Sequence, residues 1–230
     1  MPRTGLIITG GGSSVRYGRP KLLEFLGDLP VFCHSLRNLS RLPDVAATVL
    51  VVPAEREAVF AQFLRQFVPD LADSVTLVTG GPTRTESVRR GLLALPPDTA
   101  YVAVHDAARP LATASLLRRC LEEATESGAA IAAHRIVDTV KLADGLSIAQ
   151  TLDRKLLWGA ETPQVARRSL LLQAYAFRQS HPELPEPTDE AQLLENAGIP
   201  VRLVESALPN PKLTTPDDMS TLKAMMAPAR

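Results

Sequence analysis

The stretch TGGGSSVRYGRPK, residues 9–21, sets three consecutive glycines (Gly10, Gly11 and Gly12) behind a short apolar run and follows them with Arg16, Arg19 and Lys21. Glycine lets a backbone come close to a ligand, and clustered N–H groups with nearby cations hold anions. The segment matches neither common phosphate motif. A dinucleotide fingerprint needs G-x-G-x-x-G, but Val15 stands where the third glycine belongs. A Walker loop closes on glycine-lysine and a hydroxyl residue, but Gly18 is followed by Arg19-Pro20. Two readings stand on this loop alone: a polyphosphate cradle, or a tight turn with a solvated basic edge.

A second block, His105-Asp106-Ala107-Ala108-Arg109-Pro110, brings a carboxylate. Asp106 can hold Mg²⁺, which takes one or two protein carboxylates plus substrate phosphates; equally it can cap a turn or pair with Arg109. His105 is in reach of a base's role, although a histidine at a sheet rim more often serves structure. Residues 80–87 and 210–215 add glycine, hydroxyl and charge. The other histidines, His34, His134 and His181, have no metal-ligand spacing. No G-x-S-x-G elbow or H-E-x-x-H pair appears, and the few aromatics form no stacking array for nucleic acid.

These blocks need a frame. Apolar runs at 6–9, 48–52, 75–79, 101–104, 129–133 and 201–204 predict strands buried on both faces, as in a mostly parallel sheet. Helical patterns fall between them, at 31–42, 55–67, 85–95, 113–127 and 167–178. A last helix opens at Thr215-Pro216-Asp217-Asp218, with a hydroxyl cap, a first-turn proline and acids at the positive end of the dipole. The alternation predicts a doubly wound α/β fold. In such sheets ligands bind beyond the carboxyl ends of the strands, where all four chemical blocks fall. Asp144-Gly145, between residues 137–143 and 146–152, predicts a β-hairpin, either a solvated edge or a dimerisation arm.

With 230 residues the chain reads as one domain, 1–230, with an arm at 137–157 inserted in it. Formal net charge is zero, so nothing suggests a general affinity for nucleic acid or anionic membrane. Cys33 and Cys120 form no C-x-x-C pair and read as free thiols of a reducing compartment. The N-terminus reads as a first strand and not a signal peptide. No stretch approaches the roughly 18 apolar residues of a membrane helix. A cytoplasmic protein is expected.

Read in order, the blocks resemble the cytidylyltransferases that couple CTP to 2-C-methyl-D-erythritol 4-phosphate in non-mevalonate isoprenoid synthesis. The glycine loop with Arg16 and Pro20-Lys21 is similar to the family's nucleotide signature, and Gly80-Gly81 with Arg84, Ser87 and Val88 to its second loop. VHDAARP, 104–110, is the most specific block. Asp138-Thr139-Val140-Lys141 and Asp153-Arg154 flank the arm, and Thr162-Pro163-Gln164, Thr188-Asp189-Glu190 and Lys212-Leu213-Thr214-Thr215-Pro216 follow. Gly10-Gly11 stands where the family usually has Ala-Ala, Ser14 replaces a glycine, Tyr17 a methionine, Glu86 an aspartate and Leu22 a glutamine.

The resemblance implies a Rossmann-like nucleotidyltransferase in which the acceptor's phosphate oxygen attacks the α-phosphorus of CTP and pyrophosphate leaves. It implies catalytic roles for Arg16, Lys21, Arg154 and Lys212. Gly10, Gly11, Gly12, Gly81, Ser87, Asp106, Ala107 and Lys212 would hold the nucleotide. Asp106, Arg109, Thr139, Arg154, Thr162 and Thr188 would hold the acceptor, and Asp106 would hold Mg²⁺. Thr139 and Arg154 would reach the site from the partner's arm in a homodimer. Two rivals share the first loop: a cytidylyltransferase for another polyol phosphate such as ribitol 5-phosphate, and a nucleotide-binding regulator with impaired catalysis.

Overall fold

The computed structural model describes residues 2–11 and 17–226. In chain order the strands are β1 (Thr4–Thr9), the two-residue pair β2 (Phe25–Leu26) and β3 (Leu29–Pro30), β4 (Val45–Val52), β5 (Val75–Thr79), β6 (Tyr101–Asp106), β7 (Ala129–Arg135), β8 (Lys141–Asp144), β9 (Ser147–Thr151), β10 (Trp158–Arg167) and β11 (Arg202–Glu205). The helices are α1 (Val31–Leu39), α2 (Glu57–Phe67), α3 (Pro69–Ala72), α4 (Arg84–Ala94), α5 (Ala114–Ser127), α6 (Arg168–Ser180), α7 (Glu190–Asn196) and α8 (Pro216–Met226).

Seven strands form one sheet in the order β11-β7-β10-β6-β1-β4-β5. It is parallel except for β10, which runs antiparallel to both β6 and β7. From β1 the chain winds outward to β4 and β5, then returns to β6 on the other side of β1. This reversal of order is the topological switch point, where a crevice opens beyond the strand ends.

Alternation along β1 builds a core on each face of the sheet. Leu6 and Ile8 pack with Phe32 and Leu36 of α1 and Leu117 and Leu121 of α5. Ile7 packs on the opposite face with Val88 and Leu92 of α4 and Leu171 of α6. Helix α4 lies so close to the sheet that a Cβ on Gly91 would come within 2.8 Å of Ile7 Cγ2 and 3.0 Å of Val51 Cγ2. Only glycine permits that approach, which lets α4 lie directly against β1 and β4.

Three expectations need adjustment. Strand β10 is absent from the expected set; its register with β7 shifts between Ala160 and Gln164, around a cis Thr162–Pro163 bond. Helix α7 was not anticipated either. The hairpin is present as β8–β9, but its two-residue turn is Gly145-Leu146, since Asp144 pairs with Ser147; Gly145 has a φ of 59°. Every residue of both hairpin strands is exposed.

Candidate functional site

A cavity of about 700 Å³ opens at the carboxyl ends of β1, β4, β5 and β6. Six of the expected residues line it: Gly11, Lys21, Gly81, Ser87, Asp106 and Lys212. Gly12 and Arg16 lie outside the described residues. Gly10 sits just behind the wall, its N–H donating to Val51 O at 2.7 Å.

Asp106 ends β6 and is nearly buried. Lys212 Nζ donates to its Oδ2 at 2.5 Å, while Thr9 Oγ1 at 3.3 Å and Arg84 Nη2 at 3.4 Å reach Oδ1. Its partners are therefore Lys212 and Arg84, and not Arg109 as the sequence allowed. Burial alone would push the carboxyl's pKa up, but Lys212 and Arg84 outweigh it and hold Asp106 well below the usual carboxylate range.

Behind Asp106 runs a chain of hydrogen bonds whose directions can be assigned. His105 is fully buried, with Nε2 3.2 Å from Arg109 O and Nδ1 3.0 Å from Thr162 Oγ1. A carbonyl can only accept, so Nε2 carries the proton and Nδ1 accepts from the Thr162 hydroxyl. Thr162 Oγ1 in turn accepts from the Asp106 N–H at 3.0 Å. Burial pushes the His105 pKa down to about 4, against the opposing pull of Asp106 and the Arg109 carbonyl. His105 is thus a neutral strut, matching the structural alternative in the sequence reading.

The glycine turn after β5 is closed by Ser87, whose hydroxyl donates to Thr83 O at 2.8 Å and accepts from Gly81 N at 3.0 Å. Thr83 caps α4 by accepting from Glu86 N. The helix presents its positive end to the cavity, where Thr83, Arg84 and Ser87 all line the wall. Lys21 starts a short 3₁₀ turn after the first loop, and its Nζ donates to Leu213 O at 2.6 Å. Leu213 N donates to Ala108 O at 2.8 Å, so the segment carrying Lys212 is fastened to the turn that follows β6. Asp218 accepts from the N–H groups of Thr214 and Thr215 at 2.7 Å each, completing the start of α8.

The remaining expected residues lie apart from the cavity wall. Ala107 is fully buried. Arg109 is turned to the protein, donating to Asn210 O at 2.6 Å and Ala160 O at 3.3 Å. Thr162 is buried in the chain described above. Thr188 is exposed just before α7, its N–H donating to Gln192 Oε1 at 2.7 Å. Thr139 and Arg154 are exposed at the base of the hairpin, where Arg154 donates to Val137 O.

Arg84 and Glu190 were missed as site residues. Arg84 Nη1 and Nη2 donate to the two oxygens of Glu190 at 2.8 and 2.9 Å. The available signal was positional, because both stand inside blocks already picked out for other residues.

The sequence profile described as 2-C-methyl-D-erythritol 4-phosphate cytidylyltransferase, IspD, matches residues 6–228. A bifunctional enzyme IspD/IspF of Desulfotalea psychrophila is 37% identical over 91% of this chain and 53% of its own length. The chain thus spans about half of that relative. The 2-C-methyl-D-erythritol 4-phosphate cytidylyltransferase of Syntrophus aciditrophicus is 37% identical over 98% of this chain and 96% of its own. Among solved structures, the 4-diphosphocytidyl-2C-methyl-D-erythritol synthase of Anaerococcus prevotii superposes with a TM-score of 0.83 at 27% identity, covering 98% of this chain and 96% of that one.

Proposed function

Given that the chain belongs to the 2-C-methyl-D-erythritol 4-phosphate cytidylyltransferase family, we propose that it transfers a cytidylyl group from CTP to 2-C-methyl-D-erythritol 4-phosphate. A phosphate oxygen of the acceptor forms the new bond to the α-phosphorus of CTP, and the bond to the β-phosphate oxygen breaks to release pyrophosphate. The product is 4-diphosphocytidyl-2-C-methyl-D-erythritol. A phosphate monoester is already ionised, so the reaction needs positioning and charge stabilisation more than a general base.

The observation that carries this reading is the meeting of Lys21, Arg84, Asp106 and Lys212 at one cavity, from four segments far apart in sequence. Lys21 and Lys212 stabilise charge that builds on the α-phosphate and the leaving group. The glycine turn with Ser87 and the start of α4 offers backbone donors to the nucleotide. His105, neutral and enclosed, moves no proton.

Mg²⁺ fits the donor set. Among the described residues no group of three or more His, Cys, Asp or Glu side chains could hold a metal ion. One carboxylate facing a phosphate cavity suits an ion that takes its other ligands from phosphates and water. Asp106 would hold it, and the ion would offset charge on the triphosphate.

Thr139 and Arg154 act across a homodimer in this reading. The exposed apolar side chains Val137, Leu142, Leu146, Ile148 and Leu156 on and beside the hairpin support an interface there. Among the described residues no helix is long and apolar enough to cross a membrane. Cys33 and Cys120 are buried free thiols, which accords with the cytoplasm.

The test is pyrophosphate release with Mg²⁺ and CTP against two acceptors. Turnover is expected with 2-C-methyl-D-erythritol 4-phosphate. Preference for ribitol 5-phosphate would transfer the assignment to that acceptor, and CTP binding without release from either would leave a regulator.

A further inference from the structure

Arg84 sits where three distant segments meet. It is the first residue of α4, after the Thr83 cap. Its two outer nitrogens grip both oxygens of Glu190, the first residue of α7, and one of them also faces Asp106 Oδ1 at 3.4 Å. Glu190 is only 3% exposed. The same end of α7 is tied to β10: Gln164 Nε2 donates to Asp189 Oδ2 at 2.9 Å, and Ala191 N donates to Gln164 Oε1 at 3.0 Å. Thr188 stands one residue before the Asp189 cap. The end of α7 that Glu190 begins therefore also carries Thr188, two residues before it.

The guanidinium lines the cavity, so a direct contact with substrate phosphate is the first role to weigh. Its geometry argues otherwise. A planar fork closed on a carboxylate presents its paired N–H groups to that carboxylate. Turning them to a phosphate would strand Glu190 as a buried charge without its cation, which is strongly unfavourable. Conversely, a pair kept for stability alone has no need to include Asp106, whose charge Lys212 already offsets.

We propose that Arg84 is a positioning residue that binds the acceptor-side segment at Thr188 to the nucleotide-side carboxylate Asp106, so that both halves of the site share one frame. The inference rests on the cytidylyl-transfer reading for what the two halves hold. Removing partners that orient a metal-binding carboxylate typically costs about 10–100-fold in metal affinity or activity.

The test separates positioning from packing. Arg84→Met leaves Glu190 a buried charge without its cation, and Glu190→Leu leaves Arg84 only the longer contact to Asp106; each should lower the denaturation midpoint. The double variant Arg84→Met/Glu190→Leu replaces the pair by apolar side chains, a change that often restores stability. With the midpoint recovered, kcat/KM should remain about 10–100-fold low, with a raised KM for 2-C-methyl-D-erythritol 4-phosphate and a raised calorimetric Kd for CTP with Mg²⁺. Recovery of all three constants along with the midpoint would overturn the proposal. Arg84→Lys provides a second route if the double variant does not fold, because it keeps the charge and loses the fork. It should show the same raised KM and Kd at a near-native midpoint, and wild-type constants there would equally overturn the idea. A wild-type protein that binds CTP with Mg²⁺ but releases no pyrophosphate sinks the functional reading alone, and the Kd for CTP with Mg²⁺ still reports on Arg84.

Discussion

Thr162→Val is the sharpest probe of how Asp106 is held. Valine keeps the shape of threonine and deletes one hydroxyl. In the structure that hydroxyl accepts from Asp106 N–H and donates to His105 Nδ1, at 3.0 Å each, with Thr162 only 3% exposed. The substitution leaves a backbone donor and a ring acceptor buried without partners. Each such group costs about 1–3 kcal/mol, so the expected loss of stability is about 2–6 kcal/mol, a large part of the 5–15 kcal/mol typical of a domain. Thr162→Ser restores the hydroxyl and should recover most of the loss. The measurement is urea denaturation, comparing midpoints at an unchanged m-value. The variant should also turn over more slowly, since the end of β6 that carries Asp106 loses its anchor. If Thr162 instead contacts the acceptor directly, valine will raise the acceptor's KM and leave the midpoint where it was. That outcome would refute the hydrogen-bond chain and the His105 tautomer assigned from it.

Two other perturbations test the catalytic reading. Lys21→Ala should keep the circular dichroism of the native fold and lower kcat about 100–1000-fold, the usual cost of a lost charge-stabilising donor; a near-normal rate removes Lys21 from the mechanism. Deleting residues 140–151 should give a monomer by sedimentation that releases no pyrophosphate, and an active monomer would show that Thr139 and Arg154 are not shared across subunits.

The frame was legible because burial on both faces leaves an unbroken apolar pattern. Ile7 and Val104 pack in one layer while Leu6, Ile8 and Ala103 pack in the other, and such strands stand out in sequence. Strand β10 was not legible for the opposite reason. Its interior holds Glu161, Thr162 and Gln164, all buried. Glu161 is satisfied by His134 at 2.8 Å, Ser206 at 2.7 Å and Asn210 at 3.1 Å, residues from two other segments. A polar side chain that is buried because distant partners satisfy it looks, in sequence, like one that faces water. Helix α7, seven residues long, is too short for a periodic pattern to declare itself. The site shows the same division. Lys21 and Asp106 could be named from local chemistry and Ser87 and Lys212 from the family resemblance, but the partnership of Arg84 with Glu190 joins residues 106 apart in the chain.

The electrostatics explain how such a site can exist before any substrate arrives. The cavity wall carries Lys21, Arg56, Arg84 and Lys212 with Glu55 and Asp106, and Glu190 lies behind Arg84: four cations against three carboxylates among the described residues. Burying unpaired cations to await a triphosphate would carry a heavy desolvation cost. Pairing Lys212 with Asp106 and Arg84 with Glu190 removes most of that cost. The two pairs differ in exposure, and the difference assigns their work. Lys212 has a side chain 42% exposed and Arg84 one 27% exposed, while Glu190 is sealed at 4%. The exposed cation can leave its carboxylate for a phosphate, because water and the incoming anion replace what it gives up and Arg84 stays beside the buried Asp106. The enclosed pair cannot. Thus Lys212 is the cation suited to exchange partners during binding, and Arg84 the one suited to stay. A phosphate analogue bound to the protein should displace Lys212 from Asp106 and leave Arg84 on Glu190.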